Sequence, residues 1–372
     1  MAANPSVSPA PIAPRRAPSP GAQTLPVPAT WRIGQIIALA LVGALAGYFH
    51  FFAGRPVLIA GQPPIFPEPR QPLDYAGFVV LAGLIYLATP TAGTIAVTTF
   101  LEALRRRWLL GFLGLSVVVL LASPFLTPNQ LGEEQRFLQD ISMGFIIAMT
   151  VLISIFLGVT LVPPEIERRT IFTILSKPVN RLEFLIGKFL GLCLTLLFCL
   201  LVMGGVFLAV FIVFNLSRNG SVAWTQGTAS APYATLGFQT AQLFKAIVLN
   251  YGQLVVLGAL SMLLSLIVSP ITAITFCFLA YFGGQMSSYW NTLGGGAAPK
   301  EDTVRILSGP MQQLVKILYL ALPRMDRFDV RQNMVTDTMI TFAQTWKAWS
   351  SGLIYVGVLL LIGYLVFSDR EF

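Results

Sequence analysis

The feature that most constrains this chain is a series of long stretches that contain no Asp, Glu, Lys or Arg. The hydrocarbon core of a bilayer is about 30 Å thick, and a helix needs roughly 20 apolar residues to cross it. The stretches cover residues 33–54, 75–101, 108–132, 141–164, 189–217, 246–299 and 348–368. Ser269-Pro270 divides the sixth stretch, because proline removes a backbone donor and clashes with the preceding turn. We therefore predict an all-α polytopic membrane protein with about eight transmembrane helices.

The composition and the placement of the charges support this class. The chain is 55% hydrophobic and 11% charged, whereas soluble domains carry about 25% charged residues. A net charge of +8 indicates either nucleic acid or anionic lipid as a partner. The basic residues adjoin the apolar stretches and form no separate domain, so we predict contact with membrane lipid and none with nucleic acid. The three cysteines lie inside apolar stretches without metal-ligand spacing, and we predict no metal site.

Residues 1–30 contain eight prolines and few large apolar side chains. Such a segment cannot bury enough apolar surface to offset the entropy of ordering, so we predict a disordered cytoplasmic tail. The first apolar stretch contains Ala44-Leu45-Ala46, which resembles a signal-peptidase site. Because the stretch continues past Ala46, an uncleaved anchor is favoured over a signal peptide. Residues 31–91 are thus predicted to form two transmembrane helices.

The distribution of Lys and Arg predicts the orientation. If the N-terminus is cytoplasmic, the inner segments hold Arg15, Arg16, Arg32, Arg105, Arg106, Arg107, Arg168, Arg169, Lys177, Arg181 and Lys188. The short outer loops then hold only Arg55, Arg70, Arg136, Arg218 and Lys245. This asymmetry agrees with the positive-inside rule and predicts two cytoplasmic termini. The outer segment 291–347 does not follow the rule, and we interpret its charges Asp326, Arg327, Asp329 and Arg331 as solvated surface groups.

Residues 94–107 are predicted to form an amphipathic helix in the plane of the inner interface. Its apolar face carries Val97, Phe100, Leu101, Leu104 and Trp108, spaced as on one side of a helix. The opposite face carries Thr98, Glu102, Arg105 and Arg106. Glu102 precedes Arg106 by one turn, which favours an ion pair. A helix of this kind directs its basic residues toward lipid head groups. The alternative is the cytoplasmic end of a neighbouring transmembrane helix.

Residues 164–188 interrupt two apolar stretches with charges and prolines. Pro163-Pro164 ends one span, and Glu167 falls in the first turn of a new helix, where a carboxylate complements the helix dipole. Pro178 ends that helix, and Asn180 with Glu183 forms a capping box for the next. The interlude is therefore a short amphipathic helix outside the membrane, a rigid break, and a helix that enters the bilayer. An ordinary connecting loop with snorkelling basic residues is the alternative.

The second of these helices carries Gly187 and Gly191. This small-xxx-small spacing predicts close approach to another helix.

Several of these residues resemble type-2 ATP-binding-cassette (ABC) permeases. The resemblance lies in Glu167-Arg168-Arg169-Thr170, in the run from Ile174 to Arg181, in Glu183-Phe184, and in Gly187-Lys188-Phe189. Arg169 stands where glycine is usual in the family. Thr99 to Arg105 is similar to the family's N-terminal elbow helix, and Leu322-Pro323 with Phe328-Asp329 to the segment before its last span. The resemblance covers about 92–372 and favours the branch that includes the nitrous-oxide-reductase maturation permease.

The resemblance implies a six-helix type-2 ABC permease domain at 92–372, with an elbow helix at 94–107 and a coupling loop at 164–188. The implied partners are a separate ABC ATPase subunit, which would hold ATP and Mg, and a second permease in a homodimer or heterodimer. The coupling residues would be Glu167, Arg168, Arg169, Thr170, Ile174, Leu175, Lys177, Pro178 and Arg181. The elbow residues would be Phe100, Leu101, Glu102, Leu104 and Arg105. The implied location is the bacterial inner membrane, and the implied function is export powered by the ATPase.

Other functions are less well supported by the sequence. The chain has no phosphate-binding loop, no His-Glu-x-x-His and no Gly-x-Ser-x-Gly, so we predict neither an ATPase site nor a bound cofactor. The spans are almost free of ionisable residues, which disfavours a secondary transporter. A non-transporting member of an ATPase-driven complex stays open as an alternative. The polar candidates for a substrate path are Asn250, Gln253 and Gln285, which are also suited to hydrogen bonds between helices.

Overall fold

The computed structural model describes residues 28–51, 72–126, 134–161, 181–219, 236–287, 322–329 and 340–369, together with Gln313. Within these ranges the secondary structure consists of nine α-helices and one 3-10 helix, Met325–Phe328. The α-helices are α1 (Ala29–Phe51), α2 (Pro72–Leu87), α3 (Pro90–Leu104), α4 (Arg107–Leu126), α5 (Glu134–Leu161), α6 (Arg181–Asn219), α7 (Leu236–Ile267), α8 (Pro270–Gln285) and α9 (Phe342–Asp369). Most of the predicted tail 1–30 lies outside the described residues.

The lengths and hydropathy of these helices confirm an all-α polytopic membrane protein. Among the described helices, six are long and apolar enough to cross a bilayer, and the bent pair α2–α3 raises the number to seven if it forms one broken span. The remaining predicted crossing corresponds to α8, which has 16 residues. At 1.5 Å per residue α8 is about 24 Å long, shorter than the hydrocarbon core. The described part of the chain therefore provides six or seven spans, where about eight were predicted.

The apolar stretch 75–101 is not a single helix. Helix α2 ends at Leu87 and α3 begins at Pro90, and the two axes are bent by 91°. The Thr89 backbone is extended, and its hydroxyl accepts a hydrogen bond from the Ala92 N–H at 3.3 Å. A threonine N-cap followed by proline at the first helical position is a strong helix-start signal. The helix predicted over 94–107 therefore runs over Pro90–Leu104.

Helix α7 lies at the centre of the bundle, since 83% of its apolar window is buried. It packs against α5, α6, α8 and α9. Small residues bring α5 and α7 close together, because Gly158 on α5 directly faces Ser261 on α7. The Ser154 hydroxyl also donates to the Leu254 carbonyl oxygen at 3.1 Å. Such small and hydroxyl side chains are typical of helix interfaces in membranes, where backbones approach closely.

Helices α1 and α2 form a pair outside this bundle. The Trp31 indole donates to the Ala88 carbonyl oxygen at 2.8 Å, and the Gln35 amide donates to the same oxygen at 2.6 Å. Ala88 directly follows α2, and carbonyls at the C-terminal end of a helix have no partner within it. The base of α1 is thus fastened to the corner between α2 and α3.

Helix α2 packs on the first half of α9. Gly77 fits against Ser350, and the Phe78 ring stacks on Trp346 with centroids 3.6 Å apart. The buried Asp74 carboxylate accepts a hydrogen bond from the Ser350 hydroxyl at 3.1 Å. The Asp74 carbonyl oxygen also accepts one from the Trp346 indole at 3.0 Å. This contact attaches the pair formed by α1 and α2, called the additional pair below, to the last helix of the chain.

The 3-10 helix Met325–Phe328 packs between three helices. Met325 and Phe328 are buried. Met325 contacts Gly284 on α8, while Phe328 contacts Gly252 on α7 and Gly352 on α9. Glycine leaves room for these side chains at all three positions, so the segment joins α7, α8 and α9.

The interpretation of Asp326 as a solvated charge is wrong. One of its carboxylate oxygens is buried, and no hydrogen-bond partner for it lies among the described residues. Burial raises the pKa of the Asp326 carboxyl above its usual value, although Arg327 and Arg324 oppose the shift. The reason is that the apolar residues Met325 and Phe328 draw the short helix onto the bundle. Asp329 is exposed as predicted, and Arg331 lies outside the described residues.

Candidate ATPase-coupling surface

The predicted coupling residues fall mainly in 162–180. Arg181 is the one that the structure describes. The others, Glu167, Arg168, Arg169, Thr170, Ile174, Leu175, Lys177 and Pro178, lie outside the described residues, as does the predicted cap Asn180. The described part of the surface therefore comprises the end of α5, the start of α6 and the helices to which both are attached. These attachments determine how a force on the segment would spread.

The start of α6 packs tightly against α3. A Cβ at Gly187 would lie 2.8 Å from the Ile95 Cβ, and one at Gly191 would lie 2.6 Å from the Thr99 Cβ. The Ala92 and Ala96 carbonyl oxygens are similarly close, so only glycine fits at both positions. The predicted small-xxx-small contact is confirmed, and α3 is its partner. We call this the glycine seam: Gly187 and Gly191 on α6 against residues 92–99 of α3.

Polar and aromatic contacts add to the glycine seam. The Thr91 hydroxyl donates to the Glu183 carboxylate at 2.8 Å, which links α3 to the first turn of α6. The Phe184 ring stacks on Phe367 near the end of α9, with centroids 6.0 Å apart. The Arg181 guanidinium donates to the Phe367 carbonyl oxygen at 3.5 Å, a long hydrogen bond. The first turn of α6 is thus held by both α3 and α9.

Lys188 follows in the second turn of α6, where it is buried. Its ammonium group lies 5.9 Å from the centroid of the Phe184 ring, within cation–π range.

The end of α5 is fastened to the turn between α3 and α4. The Arg106 guanidinium donates to the Thr160 hydroxyl at 2.8 Å and to the Thr160 carbonyl oxygen at 3.3 Å. It also forms an ion pair with Glu102 at 3.1 Å, which confirms the predicted pairing. A cation at a helix C-terminus complements the helix dipole and supplies a donor to a carbonyl without an intrahelical partner. Arg106 was predicted to face lipid head groups, and its role as an anchor was missed.

The predicted elbow residues take different positions. Phe100 packs edge to face on Phe198 of α6, with centroids 5.9 Å apart, and Leu104 packs on the core. Leu101 is exposed on the outside of α3. Glu102 is exposed apart from its ion pair. Arg105 is exposed and follows the end of α3.

The predicted apolar face of α3 therefore needs correction. Trp108 does not continue it, because the chain turns at Arg105–Arg106 and Trp108 belongs to α4. The face of α3 that packs on the protein carries small residues instead. They are Ala92, Ala96, Thr99 and Ala103. Their spacing of i, i+4, i+7 and i+11 was visible in the sequence and could have identified this face.

The predicted substrate-path residues are only partly brought together. Asn250 and Gln253 lie one turn apart on α7 and are almost completely buried, 3% and 1% exposed. The Asn250 amide donates to the Thr150 hydroxyl on α5 at 3.4 Å. Within the described residues the Asn250 Oδ1 and the Gln253 Nε2 have no hydrogen-bond partner. Gln285 is half-buried on α8 and donates to Tyr281 of its own helix at 3.2 Å.

The described residues hold no group of three or more His, Cys, Asp or Glu side chains that could bind a metal ion. The surface consists instead of the contacts that fasten the end of α5 and the start of α6, on either side of the segment 164–188.

Replacement of Arg106 tests the attachment of α5. Arg106→Met is expected to lower the stability of the purified chain by about 1–3 kcal/mol, because the bonds to Thr160 are lost. Glu102→Gln removes the ion pair and keeps those bonds, so its expected cost is below about 1 kcal/mol. The unfolding temperature in mild detergent measures both effects. Equal losses in the two variants would contradict the role given to Thr160.

Comparison with known proteins assigns the chain to a family. No curated protein matches the chain. The model of the family described as "ABC-2 family transporter protein" matches residues 93–372. This range is more than half of the chain. It begins inside α3, contains Gly187, Gly191 and both ends of the segment 164–188, and leaves α1 and α2 outside. The chain therefore belongs to the ABC-2 transporter family, as a multi-pass membrane permease.

Proposed function

We propose that this permease is the membrane-spanning subunit of an ATP-driven exporter and that a separate ATPase subunit binds its segment 164–188. The observation that carries the proposal is that both ends of the segment are fastened to the same helix, the end of α5 to the turn that follows α3 and the start of α6 to the beginning of α3. The end of α5 is attached through Thr160 to Arg106. The start of α6 is attached through Glu183 to Thr91 and through the glycine seam to α3.

This attachment supports a mechanism for coupling. An ATPase that pushes on the segment would displace the end of α5 and the start of α6 together. Because α3 contacts α6 so closely, it would follow as part of the same rigid unit. Helix α9 would follow as well, since Phe184 stacks on Phe367. ATP can drive such a change only if the ATPase binds the two arrangements with different affinities.

The proposed orientation places the α3–α4 turn and the start of α6 on the cytoplasmic side. Arg105, Arg106 and Arg107 surround the α3–α4 turn, and Arg181 lies at the start of α6. The Arg106–Thr160 contact brings the α3–α4 turn to the end of α5 that leads into the segment. The positive-inside rule favours the cytoplasm for this end. The chain would then lie in a bacterial inner membrane with both termini inside, and would pair with itself or a second permease.

The substrate path is proposed to run along the interface of α5 and α7. Buried amide atoms without hydrogen bonds cost about 1–3 kcal/mol each. Asn250 and Gln253 each have such an atom within the described residues. An opened arrangement would give these groups a partner, either water or the transported molecule. Gln285 would reach the same path from α8.

Co-purification tests the proposed docking site. The tagged chain is isolated from its own cells in mild detergent, and the proteins that accompany it are identified by mass spectrometry. An ATPase with a phosphate-binding loop is expected with the unchanged chain. Its yield should fall severalfold in the double variant Glu167→Ala, Arg181→Ala. The unchanged chain and the double variant should insert into the membrane equally well. The amount of each chain in washed membranes measures this.

The matched control is the double variant Glu134→Ala, Arg136→Ala, which removes one acidic and one basic residue at the opposite end of α5. ATPase recovery should be unchanged in this control. Undiminished recovery in the Glu167, Arg181 variant would refute the docking assignment. A vesicle assay with the ATPase present would then separate transport from a non-transporting role.

A further inference from the structure

A crevice of about 920 Å³ opens between the base of α1 and the bundle. Helix α1 stands apart, since only 6% of its apolar window is buried. Its wall of the crevice carries Arg32, Gln35, Ile36 and Leu39. These residues follow the i, i+3, i+4, i+7 spacing of a single helical face. One face of an otherwise lipid-exposed helix thus combines a guanidinium at its base with aliphatic side chains further along.

The opposite wall is formed by the start of α6. It contributes Arg181, Leu182 and Glu183, and Tyr364 of α9 lies beside them. Glu183 already accepts the hydrogen bond from Thr91 on α3. Arg181 bonds the Phe367 carbonyl oxygen, but a guanidinium has five N–H donors and can hold a carbonyl and a phosphate oxygen together. The crevice therefore has two arginines facing one carboxylate that is engaged elsewhere.

The crevice changes from charged to apolar along its depth. Leu39 lies seven residues beyond Arg32, which is about 10 Å along the helix axis. The facing wall likewise combines charged and apolar groups, since Leu182 and Tyr364 line it beside Arg181 and Glu183. A water-soluble anion would leave the aliphatic part of the crevice without an apolar partner. A partner helix would bury the guanidinium of Arg32 against apolar residues at a cost. A lipid with an anionic head group satisfies both parts.

We propose that this crevice binds one anionic phospholipid. Its phosphate lies between Arg32 and Arg181, and an acyl chain follows Ile36, Leu39 and Leu182. Basic pockets between transmembrane helices on the cytoplasmic side are typical sites for such head groups. The volume is within the range of small-molecule sites, about 300–1,000 Å³. The assignment to the cytoplasmic leaflet rests on the orientation proposed above.

The site would connect the lipid to the coupling surface. Arg181 begins the helix that leaves the coupling segment. On the other wall, Gln35 holds the Ala88 carbonyl oxygen at the corner between α2 and α3. A bound lipid would therefore fix α1 to the first turn of α6. This assigns a role to α1, which lies outside the family match.

Lipid titration of the purified full-length chain tests the proposal. Native mass spectrometry in mild detergent counts bound phosphatidylglycerol, with phosphatidylcholine as the neutral comparison. The unchanged chain should bind one phosphatidylglycerol more tightly than phosphatidylcholine. Arg32→Gln should weaken that binding about tenfold, the loss expected for one charge-assisted hydrogen bond. Because Arg32 is exposed, the variant should fold normally.

Two further variants separate the explanations. Arg107→Gln removes one exposed charge from the same end of the bundle but outside the crevice, and should leave binding unchanged. Leu39→Trp fills the apolar part and should weaken phosphatidylglycerol binding without a change of charge. Equal losses in Arg32→Gln and Arg107→Gln would show a diffuse electrostatic effect and overturn the site. Equally tight binding of glycerol phosphate would show a site for soluble anions and overturn the lipid assignment.

If the unchanged chain binds phosphatidylglycerol no more tightly than phosphatidylcholine, the proposal is also overturned. That result would indicate that the chain's own residues fill the crevice. The titration uses the permease alone, so its result does not depend on an ATPase. Loss of binding in Arg32→Gln without ATPase co-purification would support the lipid site and count against the proposed coupling function.

Discussion

Gly191→Leu is expected to force α3 away from α6 and to lower the unfolding temperature of the purified chain strongly. A Cβ at this position would lie 2.6 Å from the Thr99 Cβ and 2.8 Å from the Ala96 carbonyl oxygen. The Ala96 oxygen belongs to the backbone and cannot rotate away, so the whole helix must move. Overpacking of this kind costs about 1–3 kcal/mol, and occasionally more. We expect the upper end of that range, because leucine adds three further carbons beyond the Cβ.

Gly205→Leu is the matched control on the same helix. Gly205 is exposed, and a Cβ there would meet nothing within 4 Å. Its substitution should leave the unfolding temperature nearly unchanged, or raise it slightly because leucine favours helix over glycine. Gly191→Ala should already show much of the loss, since the Cβ itself is in conflict. Similar melting of the Gly191 and Gly205 variants would disprove the close approach of α3 and α6.

The same experiment has a functional outcome. If the glycine seam carries movement from α6 to α3, Gly191→Ala should reduce the stimulation of ATPase activity by the permease beyond its effect on the amount of folded protein. Stimulation measured per mole of folded, ATPase-bound permease separates the two effects. Unchanged stimulation per complex would restrict the seam to a structural role.

The positions of the helices could largely be predicted from charge-free stretches. Where a helix starts inside such a stretch, the signal is a hydroxyl N-cap residue followed by proline. Ser269-Pro270 was recognised as a break, and the structure has Ser269 as the N-cap of α8. Thr89-Pro90 carries the same combination of a hydroxyl N-cap and a proline. It was overlooked because the apolar stretch around it is short enough for a single crossing. Local helix-start chemistry, and not hydropathy, determines the 91° bend there.

The packing face of α3 was missed for a different reason. The sequence pattern singled out large apolar residues, as is appropriate for a helix on a soluble core. In a bilayer the large residues can face lipid, and small residues allow helices to approach each other. Accordingly Val97 and Leu101 are exposed, while Ala92 and Ala96 contact α6. A search for small residues at helical spacing would have found this face.

The anchors of the coupling segment depend on contacts that no local pattern contains. Arg106 and Thr160 are 54 residues apart, and Thr91 and Glu183 are 92 residues apart. The resemblance to the family supplied the coupling residues themselves, most of which lie outside the described residues. The attachment of α2 to α9 was likewise unforeseen, because it joins residues more than 270 positions apart.

Gly77→Leu is expected to detach α1 and α2 from the family domain while that domain stays folded. A Cβ at Gly77 would lie 2.5 Å from the Ser350 Cβ and 2.6 Å from the Ser350 Cα. The α2 helix would have to withdraw, and the Phe78–Trp346 stack and the Ser350–Asp74 hydrogen bond would be lost with it. Asp74 is buried, so its carboxylate would become hydrated. We expect a loss of about 3 kcal/mol from the overpacking alone.

Hydrogen exchange locates this effect. The amides of α2 and of the first half of α9 should exchange faster in Gly77→Leu, whereas those of α5 and α7 should be unchanged. Gly83→Leu is the control, since Gly83 lies on α2, is exposed, and has nothing within 4 Å of an added Cβ. If exchange rises equally in α5 and α7, the additional pair is an integral part of the bundle. If exchange in α2 does not change at all, α2 does not pack on α9 through Gly77. The expected result identifies α1 and α2 as a separable unit that meets the permease domain at Ser350 on one side and at the α2–α3 corner on the other.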